Sequence, residues 1–295
     1  MTQFARILAH RVLAVGFAAG TMAVAAPAMA EIQLQWQDRE VARMVSLGGS
    51  CNRCELSGRD LSGAAFTGAV FTNATLVGAN LRGAEMVGSD FSGSDFSRAE
   101  LSGAVMVGAE FSGASFSRAD LSGAMATGAT LMRARLDNAN LSGAELNGAN
   151  FNGAVLRSAN LSDAELNAAT LANVDARGTN FTSAEISMSN LSNGDFRAAS
   201  FRGAELNGAR LTGGDFTGAD FSGAELHRAD LMGANLASAR GLTQAQVGRA
   251  CGDASTRLPR GLSVGTCRTI LRVAPPRPPA PPAPPRVRNL VVASQ

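Results

Sequence analysis

The chain has 295 residues and carries 26 basic and 24 acidic side chains, for a formal net charge of +2 at pH 7. A charge this close to neutral gives no general attraction to nucleic acid, which binds strongly basic surfaces. The chain has two histidines, which excludes a metal or catalytic site built on several histidine side chains.

Residues 1–30 have the pattern of a secretory signal peptide. Arg6 and Arg11 precede an apolar stretch from about Val12 to Ala26, and Ala28-Met29-Ala30 matches a small-x-small cleavage site. The alternative is an uncleaved anchor, but the apolar run is short for a membrane span. We predict cleavage after Ala30, a periplasmic or secreted mature protein, and no transmembrane span once the signal is removed.

Residues 31–50 are predicted to cover the N-terminal end of the fold. Trp36, Val41, Met44 and Val45 fall near helical spacing, and Trp36 is the single tryptophan. This pattern predicts a short helical N-terminal cap.

From Leu56 to Leu236 every fifth residue is large and apolar, except Ala126 and Ala176. A small residue, usually alanine, lies two positions before each of them, and glycine often lies two positions after. A period of five fits neither a helix nor a strand, so residues 51–240 form one repeat architecture.

In each unit the large residue and the small residue two positions earlier face inward, and the residue between them faces out. The next two residues turn the chain, and glycine in the second place indicates a type II turn with positive φ. Arg98, Arg118 and Arg133 occupy that place too, so some corners must use a turn that tolerates a side chain. Right-angle turns close a coil every 20 residues or so, giving about nine coils and a rod on the order of 45 Å long.

The two small residues at inward positions differ in their surroundings. Val174 is large enough to compensate for Ala176, whereas Ala126 follows Ala124 and has no such partner. We predict the weakest packing at Ala126, with the flexible Met106 one coil below as filler.

Units such as Ala144-Glu145-Leu146-Asn147-Gly148 resemble the pentapeptide-repeat family, of the form A(D/N)LXX, over residues 54–238. The resemblance implies an all-β fold, a right-handed quadrilateral parallel β-helix. It implies little about activity, because the understood members act by offering a surface. It carries over no catalytic residue and no cofactor.

Four cysteines lie at the ends of the predicted rod. A disulfide needs Cα atoms within about 7 Å, so a rod of this length leaves only the pairs Cys51–Cys54 and Cys251–Cys267. The same separation rules out a four-thiolate zinc site. Cys-x-x-Cys also has a redox interpretation, but no thioredoxin-like context supports it. We favour two structural disulfides.

Residues 241–272 are predicted to cap the C-terminal end. Thr243-Gln-Ala-Gln246 matches a capping box opening a short helix through Cys251. Residues 273–295 are rich in proline and arginine, and the run from Ala274 to Pro285 predicts a disordered, extended polyproline II tether.

Charge is unevenly placed. Residues 51–240 have a net charge of −6, whereas the chain from Arg249 onward has +7. At 20 residues per coil, arginines stack in one column (Arg157, Arg177, Arg197), and glutamates stack in another, two faces away (Glu145, Glu165, Glu185, Glu205, Glu225). Like charges on neighbouring coils repel. The columns are either polar positions filled by the repeat or a binding stripe.

The leading hypothesis is a non-catalytic scaffold of the bacterial envelope or exterior that binds a protein through its flat faces. His227 alone cannot form a triad, and the outer surface has almost no aromatic residues for stacking bases, so no nucleic-acid partner is expected. The runner-up is a DNA-mimicking topoisomerase-binding rod, as in some family members, and a Cys51–Cys54 thiol oxidoreductase comes third. An end-to-end homodimer remains open.

Overall fold

The structure, a computed structural model, describes residues 49–267. The predicted signal peptide, nearly all of the predicted N-terminal cap, the end of the C-terminal cap and the proline-rich tail lie outside these residues. Parallel β-bridges join each outward residue to the one 20 positions later, from Ser50–Val70 to Asp220–Arg240. The predicted 20-residue coil is therefore the observed period of the backbone.

Each coil contains four bridges, one per five-residue unit, so the described rod has four faces. Backbone hydrogen bonds join successive coils on both sides of each bridge, as where Leu61 N donates to Asn80 O at 2.7 Å and Asn80 N donates to Arg59 O at 2.9 Å. This ladder pairs most of the backbone polar groups of the interior coils.

The corners use one kind of turn almost throughout. Ala64 N donates to Leu61 O at 3.1 Å across a corner, and Gly63 between them has a φ of 64°. Arg98 and Arg118 both have a φ of 61°, so the arginine corners use the same turn as the glycine corners, and this turn tolerates a side chain as expected. A Cβ at a corner such as Gly63 would point into open space. A side chain at this position therefore costs only the strain of the left-handed backbone conformation. The backbone hydrogen bonds between coils hold the chain in that conformation.

The inward residues form a continuous core along the rod axis. Both inward positions of the units are almost fully buried, including Leu161 with no exposed surface. Phenylalanines one coil apart stack face to face, as in Phe96–Phe116 with ring centroids 4.8 Å apart and Phe196–Phe216 at 5.0 Å. The predicted inward and outward pattern is confirmed at these positions.

The predicted weak point in the core is confirmed. A wholly apolar cavity of about 10 Å³ lies beside Ala126, and Met106 and Leu146 line it from the coils below and above. Val174 and Ala176 are both buried.

Gly214 replaces the usual alanine at an inward position, and we predict that Gly214→Ala destabilises the protein by about 1–3 kcal/mol through overpacking. A Cβ there would lie 2.7 Å from Phe216 Cε2 and 3.2 Å from Leu211 O. Denaturant melts of Gly214→Ala, alone and combined with Phe216→Leu, check this. The alanine should cost much less when the ring is absent, and an equal cost in both backgrounds would contradict the clash.

The C-terminal segment contains helix α1 (Gln244–Val247) and two short parallel strands, β1 (Cys251–Gly252) and β2 (Gly265–Thr266). The predicted capping box is confirmed, since Thr243 and Gln246 each bond the other's backbone N–H. Gln246 Nε2 also donates to Phe221 O and Ala224 O at 3.0 and 2.8 Å, which ties α1 to the last coil.

The predicted helical extent is wrong, because α1 ends at Val247 and does not reach Cys251. The chain there rejoins the coil ladder: Cys251 N donates to Ala229 O at 3.0 Å, and Cys251 forms a bridge with Asp230. These backbone bonds replace the helical ones.

Within residues 49–267 no helix is long and apolar enough to span a bilayer.

Candidate protein-binding face

One face of the rod carries the predicted glutamate column. Its outward residues, here called the glutamate face, are Ala65, Glu85, Val105, Met125, Glu145, Glu165, Glu185, Glu205 and Glu225, joined in order by parallel bridges. The five glutamates from Glu145 onward are all exposed. The structure therefore brings the predicted stripe together, with carboxylates on successive coils at about 4.8 Å spacing.

Asparagines beside the column fix the orientation of three of the glutamates, Glu165, Glu185 and Glu225. Asn147 Nδ2 donates to Glu165 Oε2 at 2.8 Å, and Asn207 Nδ2 makes the same contact with Glu225. Each asparagine oxygen accepts a backbone N–H of the next coil, as where His227 N donates to Asn207 Oδ1 at 3.0 Å. The amides neutralise no charge, and within residues 49–267 no arginine forms an ion pair with these five glutamates.

On the opposite face, the charged side chains form ion pairs with one another. Arg157 Nε donates to Asp175 Oδ2 at 2.7 Å, and Arg177 Nε donates to Asp175 Oδ1 at 2.8 Å. The pattern continues upward through contacts that we call the Arg–Asp ladder, formed by Arg157, Asp175, Arg177, Asp195, Arg197 and Asp215. The expected repulsion within the arginine column is therefore offset by aspartates between successive arginines.

The ladder shifts the pKa of its carboxyl groups. Burial raises the pKa of Asp175, but hydrogen bonds from Arg177 and Arg157 outweigh it and hold the pKa at about 2. The hydrogen bond from Arg197 lowers the pKa of Asp195 as well. Both carboxylates stay ionised with their partners, so this face presents paired charge to solvent.

We predict that the ladder's stabilisation is lost as the pH falls from about 4 to about 2. A depressed native pKa means that the unfolded state binds protons first, so the contribution is present above the ordinary carboxyl pKa and disappears below the native one. It should amount to about 1 kcal/mol or less per pair, since the side chains are partly exposed. Denaturant melts at pH 5 and pH 2 check this. Asp175→Asn/Asp195→Asn should lose less stability on acidification than the parent, and an equal loss would contradict the assignment.

Exposed apolar side chains also gather at the glutamate face, which the sequence reasoning missed. Val87 and Val107 are 37% and 40% exposed, and Met188 is 73% exposed. All three lie at the corner that follows this face along the chain. With Val105 and Met125 on the face itself, Val87 and Val107 form what we call the apolar patch. Folding the sequence at 20 residues per coil would have revealed these positions.

A shallow pocket of about 210 Å³ lies where the C-terminal end of the glutamate face meets α1. Glu225, His227 and Asn207 line it from the rod, and Gln246 and Arg249 line it from the C-terminal segment. The pocket combines both charges and extends the face toward the end of the rod.

The predicted cysteine pairs lie at disulfide distance, with Cα atoms 5.8 Å apart for Cys51–Cys54 and 4.7 Å apart for Cys251–Cys267. Cys267 Sγ lies 3.6 Å from Asp230 Oδ1. Asp230, Cys251 and Cys267 lie close enough together to hold a metal ion. Sulfurs held in a disulfide are not thiolate ligands, so these three residues form no metal site in the oxidised protein. Cys51 N donates to Val70 O at 2.8 Å, which places the first pair in the coil ladder.

Comparison with known families matches pentapeptide repeats, in eight copies over residues 50–86, 94–133, 134–171, 159–197 and 199–236. The chain belongs to the pentapeptide-repeat family. Pentapeptide-repeat proteins fold as right-handed quadrilateral β-helices and are generally non-enzymatic structural or binding proteins. No curated protein matches the sequence significantly.

Solved structures similar to this chain include two that it spans almost fully. HetL of the cyanobacterium Nostoc sp. strain PCC 7120, involved in heterocyst differentiation regulation, is 29% identical over 77% of this chain and 98% of HetL, with a TM-score of 0.45. QnrB1, a plasmid-mediated fluoroquinolone resistance protein, is 23% identical over 70% of this chain and 94% of QnrB1, with a TM-score of 0.33.

Proposed function

We propose that the protein is a non-catalytic scaffold of the bacterial envelope or exterior that holds a protein partner on its glutamate face. The partner offers basic side chains to the glutamates and apolar side chains to the adjoining corner. The sequence of residues 1–30 supports export, and the proposal needs no cofactor.

One observation carries this proposal: carboxylates with no arginine partner within residues 49–267 and exposed apolar side chains lie on one side of the rod. Opposite them, the Arg–Asp ladder pairs its charges internally. Within residues 49–267 four large apolar residues are exposed, and three of them, Val87, Val107 and Met188, lie at the corner that follows the glutamate face. The fourth, Val70, lies on the next face along the chain. Exposed apolar patches rimmed by polar residues mark protein interfaces, where aromatic residues, Met and Arg are enriched.

Acid–base catalysis has no support on the glutamate face. Its carboxylates are exposed on a flat surface, whereas catalytic carboxyls need a cleft that shifts their pKa. The rod's charge of −6 is small beside that of duplex DNA, and its acids are spread over all four faces. DNA mimicry is therefore less well supported than binding of a protein.

Affinity capture from an envelope extract of the source organism tests the proposal. The full chain should retain a partner that Glu185→Arg/Glu205→Arg loses, because two reversed charges repel the partner's basic groups. Glu55→Arg/Glu110→Arg is a matched control, since it makes the same change in net charge at exposed acids on other faces. A partner lost equally from both variants would contradict a role for this face.

A further inference from the structure

The apolar patch continues the glutamate face toward the N-terminal end of the rod. Parallel bridges join Glu145 to Met125 and Met125 to Val105. Val87 and Val107 lie one coil apart at the adjoining corner, where Gly88 N donates to Val107 O at 3.0 Å. The glutamate face from Glu225 to Glu145 and the apolar patch together form what we call the strip. From the C-terminal to the N-terminal end of the rod, the strip is therefore acidic first and apolar afterwards.

The C-terminal tail has complementary chemistry in the same order. Residues 268–295 contain five arginines and no acidic residue. The last two of them, Arg286 and Arg288, are followed at once by Leu290-Val291-Val292. A chain leaving the C-terminal end of the rod and running back along this strip meets glutamates with its arginines and the apolar patch with its apolar residues.

The tail starts in the right place and is long enough. Cys267, the last described residue, lies against Asp230 on the face next to the glutamate face. Six coils separate Glu225 from Val105, a distance of about 29 Å at about 4.8 Å per coil. Residues 268–285 span up to about 60 Å when extended at about 3.3 Å per residue.

We propose that residues 286–292 of the same chain dock on this strip, with Arg286 and Arg288 against Glu165 and Glu145 and Leu290-Val291-Val292 on the apolar patch. The inference rests on the proposed function, because the tail then covers the surface that the partner uses. Tail and partner exclude each other, so a partner of the same chemistry must bind the strip more tightly than the tethered tail does in order to displace it.

The physical reasons are charge, apolar contact and tethering. The glutamates of the strip have no arginine partner within residues 49–267. Alternate residues of an extended segment lie about 6.6 Å apart, and long arginine side chains can still reach carboxylates about 4.8 Å apart on successive coils. Tethering raises the effective concentration of the segment to the millimolar range. Weak contacts are then enough for docking, and a partner with better contacts can displace the tail.

Photo-crosslinking of the full chain tests the docking. With p-benzoylphenylalanine in place of Leu290, irradiation should crosslink residue 290 to the apolar patch, chiefly Met125, within one chain. Glu145→Arg/Glu165→Arg should reduce this product several-fold, and adding Arg286→Glu/Arg288→Glu should restore it. Restoration would show that the glutamate variant is folded. Asp60→Arg/Glu110→Arg, which reverses exposed acids elsewhere, should leave the product unchanged.

Crosslinks to another face, crosslinks between chains, or no crosslink would each overturn the docking. Charge reversal without effect would do the same. Loss of tail crosslinking while Glu185→Arg/Glu205→Arg still abolishes partner capture would leave the proposed function intact. The two ideas therefore fail separately.

Discussion

Leu161→Asp is expected to destabilise the protein by at least about 4 kcal/mol, because it removes a core side chain and buries a carboxyl group without a partner. Leu161 has no exposed surface and lies mid-rod, where its backbone N donates to Asn180 O at 2.7 Å. In a stacked repeat, a defect at this position also weakens the contacts of the coils on either side.

Met188→Asp is the matched control, since it makes the same apolar-to-acid change at a side chain that is 73% exposed. Its effect should stay within about 0.5 kcal/mol. Aspartate also tolerates the positive φ of this corner. Thermal and denaturant melts of both variants give the comparison. Similar losses of stability would mean that the inward and outward assignment is wrong.

Cys267→Ser is expected to lower the stability of the C-terminal segment by about 3 kcal/mol, the chain-entropy value for a loop of this size. Cys251 and Cys267 are separated by 16 positions, and the chain between them contains only the short strands β1 and β2. Without the bond the segment should fray and uncover Leu231 and Leu236. The β-sheet signal of the rod should persist.

Limited proteolysis with trypsin measures this fraying, because Arg257 and Arg260 lie inside the loop. Cys51→Ser is the control: it opens a loop closed over three positions, and it should leave cleavage at these arginines unchanged. Peptide mapping without reduction reports the bonds themselves. Free thiols at both Cys251 and Cys267 in protein isolated from an oxidising compartment would contradict the predicted disulfide.

The period of five predicted the coil, the inward and outward positions and the defect at Ala126. These features follow from one rule, since each unit makes the same turn and a missing side chain leaves space that its neighbours cannot fill. The glutamate column was predictable for the same reason, because its members lie 20 residues apart.

The features missed from the sequence depend on contacts that cross the repeat at other spacings. Arg157 pairs with Asp175, 18 residues on, so stacking like residues at 20 concealed the Arg–Asp ladder. The early end of α1 depends on bonds from Cys251 to the coil below, which no local pattern encodes. The arginine corners keep the glycine turn because the backbone hydrogen bonds between coils offset the strain of a positive φ at a residue with a side chain.

Hydroxyl-radical footprinting of the protein with its captured partner tests the central claim most directly. Methionine is among the most readily oxidised side chains, and it occurs on both sides of the rod. Met125 and Met188 lie on the glutamate face and its corner, whereas Met132 and Met232 lie at a different corner, between the next two faces. If the glutamate face binds the partner, oxidation of Met188, which the tail does not cover, falls in the complex, and that of Met132 and Met232 does not. Protection of Met132 and Met232 alone would contradict the assignment of the binding face.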